Sequence, residues 1–152
     1  LTKKLSKKVK LIVSYIYQVY NKNVVEGEIG FDIVHATIGI IDLTYKFDSK
    51  HSIHAEVQHL YTKQDRKNWA MALLEYDISP NWSFTVFDEY NYGNDKKDLR
   101  LHYYNASMGY TQNATRISIG YVRQRAGLLC VGGVCRFVPA SNGWNISITS
   151  RF

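Results

Sequence analysis

The chain has 152 residues, of which 45% are hydrophobic and 14% aromatic, with 10 glycines and 2 prolines. This length suits one domain, and the composition excludes collagen-like and disordered chains. Lysine and arginine outnumber aspartate and glutamate by 19 to 13, but these charges are spread along the chain and identify no partner by themselves. Unbroken apolar stretches are only a few residues long, far below the roughly 18 residues of a membrane-spanning helix. A helical membrane protein is therefore excluded, whereas a membrane β-barrel stays open because its strands show only alternating hydrophobicity.

Alternation of apolar and polar residues recurs along the chain and predicts eight strands separated by turn residues. The first strand is expected from about Lys8 to Tyr20, and the second ends with the alternating residues Ile41–Phe47. The apolar positions of the other six run over Ile53–Tyr61, Ala70–Ile78, Trp82–Tyr92, Tyr104–Tyr110, Ile117–Tyr121 and Trp144–Phe152.

A soluble β-sandwich would also alternate, so the connections between the strands are informative. Residues 48–50, 79–81 and 112–114 form tight connections, whereas residues 21–30, 63–67, 93–98 and 127–143 form longer ones. Short turns at one end and long loops at the other are typical of outer-membrane barrels.

Aromatic residues cluster at both ends of the predicted strands, on the apolar face. Tyrosine and tryptophan favour the two membrane interfaces, where the ring contacts lipid and the polar tip contacts headgroups. The residues beside the short turns are Tyr45, Phe47, Tyr76, Trp82, Tyr110 and Phe152, and those toward the long loops are Tyr61, Tyr90, Tyr92, Tyr104 and Trp144. This sorting predicts two aromatic girdles.

The last predicted strand carries Trp144, Ile146, Ile148 and Phe152, and the sequence stops at this aromatic residue. A terminal apolar strand without a polar tail is unusual in a water-soluble domain. It is similar to the C-terminal β-signal of outer-membrane proteins, which the barrel-assembly machinery reads.

Three segments, Asn68–Trp82, Tyr90–Asn94 and Gly127–Gly143, resemble the C-terminal half of an uncharacterised Bacteroidota outer-membrane β-barrel family. The resemblance implies a location in the cell outer membrane, contacts with lipid and lipopolysaccharide, and no catalytic assignment. Such proteins are longer, and this sequence opens at Leu1 without an initiator methionine or a signal peptide. We therefore expect the C-terminal portion of a longer protein, with tight turns in the periplasm and long loops outside the cell.

Cys130 and Cys135 are too few for a disulfide scaffold or a zinc site. The intervening residues 131–134 predict a hairpin tip, because two adjacent glycines allow the positive φ angles of a tight turn. Counting back from the tip places the two cysteines opposite each other. On an oxidising cell surface we expect them to form a disulfide, with two free thiols as the alternative.

The polar face of the predicted strands carries charges of both signs. In a narrow barrel such side chains pair and fill the lumen, whereas in a wider barrel they line water. The predicted lumen residues are Asp42, Lys46, Glu56, Glu75, Asp77, Glu89, Arg116 and Arg151.

Neither a metal site, a cofactor site nor a catalytic site is expected. Alternation sends His54 and His59 to opposite faces, so these histidines cannot act together as metal ligands. His102 and Asp98 are expected near the outer rim, where outer-membrane hydrolases place catalytic groups, but no nucleophile motif accompanies them.

Asp88 interrupts the apolar face of its strand, where an unpaired carboxylate would be costly in lipid. A β-bulge or a contact with a partner protein would resolve this conflict. Arg123 and Arg125 are expected on the lipid side near the outer ends of their strand, where they could reach anionic headgroups. No basic helix or basic-aromatic platform indicates nucleic acid.

These observations predict an antiparallel up-and-down transmembrane β-barrel with a structural, complex-forming or transport role and no enzymatic activity. A passive porin-like channel is the alternative if further strands widen the lumen. A second alternative is a small soluble β-barrel that binds an apolar ligand, in which the apolar faces point inward.

Overall fold

A computed structural model describes residues 1–25, 30, 33–131 and 134–151, and it describes the backbone alone at residues 25, 128–131 and 134–138. The elements in chain order are β1 (Thr2–Lys4), β2 (Val9–Asn21), helix α1 (Lys22–Val25), β3 (Ile33–Lys46), β4 (His51–Thr62), β5 (Trp69–Ile78), β6 (Trp82–Tyr90), a 3₁₀ turn (Lys97–Leu99), β7 (His102–Gln112), β8 (Thr115–Gln124), β9 (Gly127–Val131), β10 (Val134–Val138) and β11 (Ser141–Ser150).

Nine of the strands form one antiparallel sheet in the order β1 to β8 followed by β11. Each strand pairs with its neighbour in sequence, except that β11 pairs with β8 across the β9–β10 hairpin, which forms a separate two-stranded sheet. Within the described residues β1 and β11 do not pair with each other, so the sheet is not closed. The all-β, antiparallel, up-and-down topology predicted from the sequence is confirmed.

The eight predicted strands correspond to β2 through β8 and β11. The structure adds β1, which pairs with Lys10–Ile12. Its sequence Thr-Lys-Lys has no apolar alternation, so only backbone pairing identifies it. Strand β3 begins at Ile33, well before the predicted residues Ile41–Phe47. Alternation does not reveal residues 33–40, because apolar Ile38 and Ile40 lie on the polar face there.

Unbroken register across the sheet gives it two chemically different faces. One face carries a row of apolar residues that lie directly opposite one another from β3 to β11, namely Leu43, Ala55, Leu74, Val86, Ala106, Tyr121 and Trp144. The other face carries a parallel row that is mainly polar, namely Thr44, His54, Glu75, Thr85, Ser107, Gly120 and Asn145.

The sheet curls toward its polar side. The guanidinium carbon of Arg125, just after β8, lies 5.0 Å from the ring centre of Trp69 on β5, although two strands separate β5 from β8 in the sheet. A cavity of about 330 Å³ at the long-loop end is lined by β2, β3, β4, β5 and residues 125–127. We therefore call the polar side the concave face and the apolar side the convex face.

The buried hydrophobic side chains of the described residues lie at the long-loop end of the concave face. They are Val34, Ala36 and Trp69. Buried Asn91 joins two loops there, because its Nδ2 donates hydrogen bonds to the carbonyl oxygens of Arg66 at 2.8 Å and Asn68 at 3.1 Å. In the part of the chain that the structure describes, no helix has the length and hydropathy needed to cross a membrane.

Candidate functional site

The convex face is a broad apolar surface that none of the described residues covers. Val57 and Val86 in its middle are each 56% exposed, and Ile146 and Ile148 on β11 are 67% and 69% exposed. In β-sheets of water-soluble proteins one face packs against a second layer, which removes such side chains from solvent. No second layer lies against this face in the described residues.

Aromatic side chains border the convex face at both ends of the strands. At the short-turn end, the ring centres of Tyr45 and Phe47 are 4.8 Å apart and those of Trp82 and Tyr110 are 4.6 Å apart. At the long-loop end, the rings of Tyr121 and Trp144 meet edge to face at 5.5 Å. The structure thus places the predicted aromatic residues at the two ends, except Phe152, which lies outside the described residues.

Three histidines join the aromatic residues at the long-loop end of the convex face, which the sequence did not predict. Nδ1 of His35 lies 2.9 Å from the Tyr17 hydroxyl, and Nε2 of His59 forms a hydrogen bond with the Tyr92 hydroxyl. The ring of His102 stacks on Tyr90 with 4.1 Å between ring centres. Imidazole and phenol rings both combine an apolar body with a polar edge, which suits a boundary between two media.

Asp88 remains on the convex face because the register from Ala72 through Asp88 to Tyr104 is regular. The β-bulge considered for this position is therefore not present. Its Oδ2 lies 2.9 Å from Nδ1 of His102, which supplies a partner within the chain. His102 accordingly pairs with Asp88 and not with Asp98, which lies in the 3₁₀ turn.

A polar cluster occupies the concave face where β3, β4 and β5 meet. Nδ1 of His54 lies 2.9 Å from Oε2 of Glu75, and its Nε2 lies 2.9 Å from Oδ2 of Asp42. Glu56 is directly opposite Asp42 and accepts a hydrogen bond from Gln58. We call Asp42, His54, Glu56 and Glu75 the His54 cluster.

The remaining predicted lumen residues do not form the expected network of ion pairs. Lys46, Asp77 and Glu89 lie on the concave side of β3, β5 and β6 and have no ion-pair partner among the described residues. Arg116 donates a hydrogen bond to Ser83 Oγ at 2.9 Å, and Arg151 follows the end of β11. The carboxylates that are paired on this face, Asp42 and Glu75, both contact His54.

Gly109 allows Arg116 to reach Ser83 across β7. A Cβ atom at Gly109 would lie 2.7 Å from both Nη2 of Arg116 and Oγ of Ser83. The missing side chain therefore leaves a groove on the concave face in which the guanidinium lies. This is a packing reason for glycine at a position with ordinary strand geometry.

Of the two arginines expected to face lipid, Arg125 turns toward the concave side, whereas Arg123 keeps a convex register position opposite Tyr104. Arg125 stacks over Trp69, and the guanidinium carbon of Arg123 lies 6.0 Å from the centre of the Tyr103 ring. The expectation for Arg125 is wrong because β8 ends at Gln124, so strand alternation no longer applies to the next residue. Together with the Lys22–Asp65 pair at 2.8 Å, the contact between Arg125 and Trp69 gives the cavity a charged and aromatic lining.

The short turn between β3 and β4 is stabilised by Asp48. Its carboxylate accepts hydrogen bonds from the backbone N–H groups of Lys50 at 2.7 Å and His51 at 2.8 Å and contacts the His51 ring. These hydrogen bonds, above all that from Lys50, lower the pKa of Asp48 from 3.8 to about 2.

The β9–β10 hairpin has the register that the sequence predicted, with the backbones of Cys130 and Cys135 directly paired. The side chains of both cysteines lie outside the described residues, so the disulfide stays a prediction. Of the residues expected to form a β-signal, Trp144, Ile146 and Ile148 lie on the convex side of β11.

Comparison with known proteins gives a family and no function. No curated protein and no solved structure matches the chain. A family model described as a family of unknown function, DUF6029, matches residues 1–152. Because the match covers every residue, the chain belongs to the DUF6029 family.

Proposed function

We propose that this chain is part of the wall of an integral outer-membrane β-barrel, with a structural, complex-forming or transport role and with its convex face in contact with lipid. The exposure of the apolar side chains on that face is the observation that carries the proposal. Large exposed apolar patches on proteins mark surfaces that another apolar medium or partner covers.

The accessible surface supports an apolar medium on the convex side. It amounts to 10966 Å², whereas a compact soluble monomer of 17.6 kDa exposes about 7,900 Å². The excess reflects a single curved sheet that does not fold back on itself. Hydrocarbon would cover the convex face without a second protein layer.

Strand length gives independent support. Strands β4 to β8 and β11 contain 9 to 12 residues each, close to the roughly 9–11 residues that a tilted membrane strand needs. Apolar side chains lie in the middle of these strands and aromatic ones at their ends. This is the arrangement expected for strands that cross a bilayer.

Curvature favours the membrane proposal over a soluble barrel that binds an apolar ligand. Such a barrel lines its interior with apolar side chains. Here the side that encloses the cavity carries the His54 cluster, Arg116 and Arg125, and the apolar side is convex. Apolar residues such as Ile38, Ile40 and Leu73 also occur on the concave face, but they are interspersed with these charged groups.

The free edges of β1 and β11 imply strand partners in this setting. Unpaired backbone groups cannot face hydrocarbon, so we propose that both edges pair with further strands to close the barrel. The resemblance to a Bacteroidota family supports the outer membrane as the location, with lipopolysaccharide around the long-loop end and the barrel-assembly machinery acting on β11. A wide, water-filled lumen would make the closed barrel a porin-like channel.

The three tryptophans allow a direct test. Trp82 and Trp144 lie on the convex face near opposite ends of the strands, whereas Trp69 lies on the concave face. Single-tryptophan variants, with phenylalanine at the other two positions, would be folded into vesicles that contain brominated lipids. Bromine quenches tryptophan fluorescence on contact, so we expect quenching for Trp82 and Trp144.

Trp69 serves as the matched control in the same vesicles. We expect its fluorescence to be unaffected by brominated lipid, because Arg125 and Tyr103 cover its ring on the concave side. A chain that stays soluble without detergent and shows no quenching at any tryptophan would refute the membrane proposal. Equal quenching at all three would refute the assignment of the faces.

A further inference from the structure

We propose that the His54 cluster is a binding site for a first-row divalent metal ion such as Zn²⁺. Asp42, His54 and Glu56 each offer one ligand atom, and these atoms lie within 4.8 Å of one another. The inference depends on the strand register and the side-chain geometry of the concave face and not on the medium around the convex face.

Strand register brings the ligands together. Asp42 on β3 lies directly opposite Glu56 on β4, and both side chains point to the concave face. Like charges directly opposite each other on a sheet are destabilising. Among the described residues, no lysine or arginine forms an ion pair with Asp42, Glu56 or Glu75. Asp42 and Glu75 each pair with His54, whereas Glu56 accepts a hydrogen bond from Gln58 and has no ion-pair partner among these residues. A bound cation would remove this repulsion.

Glu75 holds His54 in the orientation that a metal ligand needs. Metal-binding histidines usually donate the other ring N–H to a carboxylate, which fixes the tautomer and the ring plane. Here Nδ1 faces Oε2 of Glu75 at 2.9 Å, which turns Nε2 toward Asp42. A metal ion would take the place of the proton that Nε2 shares with Asp42, and that proton would be released to solvent.

The ligand set indicates the class of metal. One imidazole nitrogen and two carboxylates suit Zn²⁺ and neighbouring first-row ions, whereas Ca²⁺ and Mg²⁺ prefer oxygen ligands throughout. Side chains of Asp42 and His54 are 20% and 24% exposed, so an ion has access from the concave side. Three protein ligands would leave a coordination position for water.

Titration of the metal-free protein with Zn²⁺ and Co²⁺ tests this proposal. The chain would be folded in detergent micelles with Cys130→Ser and Cys135→Ser, so that thiols cannot bind the metal. We expect one Zn²⁺ per chain by calorimetry and a visible absorption band from bound Co²⁺. The Asp42→Asn, Glu56→Gln double variant and the His54→Gln variant should each lose both signals.

Two further variants distinguish a built site from adventitious binding. Glu75→Leu removes the carboxylate behind the imidazole and should weaken Zn²⁺ binding by roughly 10 to 100-fold without abolishing it. His59→Gln alters a histidine on the same strand but on the opposite face and should leave binding unchanged.

The double carboxylate variant also guards against a folding artefact. It removes the repulsion between Asp42 and Glu56, so we expect it to be at least as stable as the metal-free parent. Absence of saturable binding by the parent chain would overturn the proposal. Unchanged affinity in the double variant would do so as well, because the ion would then bind elsewhere.

Discussion

The two faces of the sheet are built from the same strands but differ in the polarity and the exposure of their side chains. On the convex face, Val57 and Val86 are exposed without polar neighbours to cover them. On the concave face, His54 and Arg116 form hydrogen bonds across strands, and Trp69 is buried. Alternation of apolar and polar residues therefore distinguishes the two faces of a sheet but does not show which face is enclosed. Curvature assigns the enclosed side to the polar residues.

Replacing a tryptophan on each face should give the largest difference in the free energy of unfolding. Trp69 is buried beneath Arg125 and Tyr103, so Trp69→Ala should lower the free energy of unfolding by about 3–5 kcal/mol. Trp144→Ala should cost less, because Trp144 is 74% exposed and its ring contacts the Tyr121 ring. Urea unfolding of both variants measures the difference, and equal losses would contradict the packing described for the concave face.

An arginine placed on each face in turn tests the medium itself. Val57→Arg puts a charge at the middle of the convex side of β4, where a bilayer should impose a cost of about 2–4 kcal/mol. At an exposed site in water the same change should stay within about 0.5 kcal/mol. Gln58→Arg, one residue away on the concave face, is the control and should fold normally. Reversible folding into lipid vesicles provides the measurement.

The pair formed by Asp88 and His102 tests how the convex face tolerates a charge. Where lipid covers the convex face, His102→Ala leaves the Asp88 carboxylate without its partner and should cost roughly 1–3 kcal/mol. In water the same pair is half exposed and should contribute no more than about 1 kcal/mol. The double variant Asp88→Asn, His102→Ala should recover much of this loss in vesicles. If the single and double variants are equally stable, the contact has no energetic role.

The smallest effect is expected at Asp48, in a turn that belongs to neither face. Its pKa is lowered from 3.8 to about 2, so the folded carboxylate contributes stability that is complete above about pH 4. This contribution is lost as the pH falls toward 2, because the carboxyl group of the unfolded state binds a proton over this interval while that of the folded state stays ionised. Asp48→Asn cannot titrate, so its stability relative to the parent should rise over that interval. Thermal unfolding at several pH values measures this, and a constant difference would contradict the assigned hydrogen bonds.

Strand positions could be predicted from the sequence because they depend on local alternation, and β2 through β8 and β11 were found in this way. The Asp42–Glu56 pair was also accessible, since equal steps in both directions from Ser49 in the short turn place these residues opposite each other. Contacts between strands that a long loop connects could not be predicted. The length of the loop formed by residues 63–68 does not determine which residue of β5 pairs with His54. The turn of Arg125 onto Trp69 depends on curvature of the whole sheet, which no local pattern encodes.

The β9–β10 hairpin is inserted between β8 and β11 without disturbing their pairing, which continues from Ser150 opposite Thr115 to Ser141 opposite Gln124. The pairing of the main sheet therefore does not depend on this hairpin. Substitutions, insertions or an attached epitope within residues 127–138 would alter what the long-loop end presents to its surroundings while every hydrogen-bonded rung of the main sheet stays in place. The main sheet can therefore display different β9–β10 hairpins with little effect on its own folding.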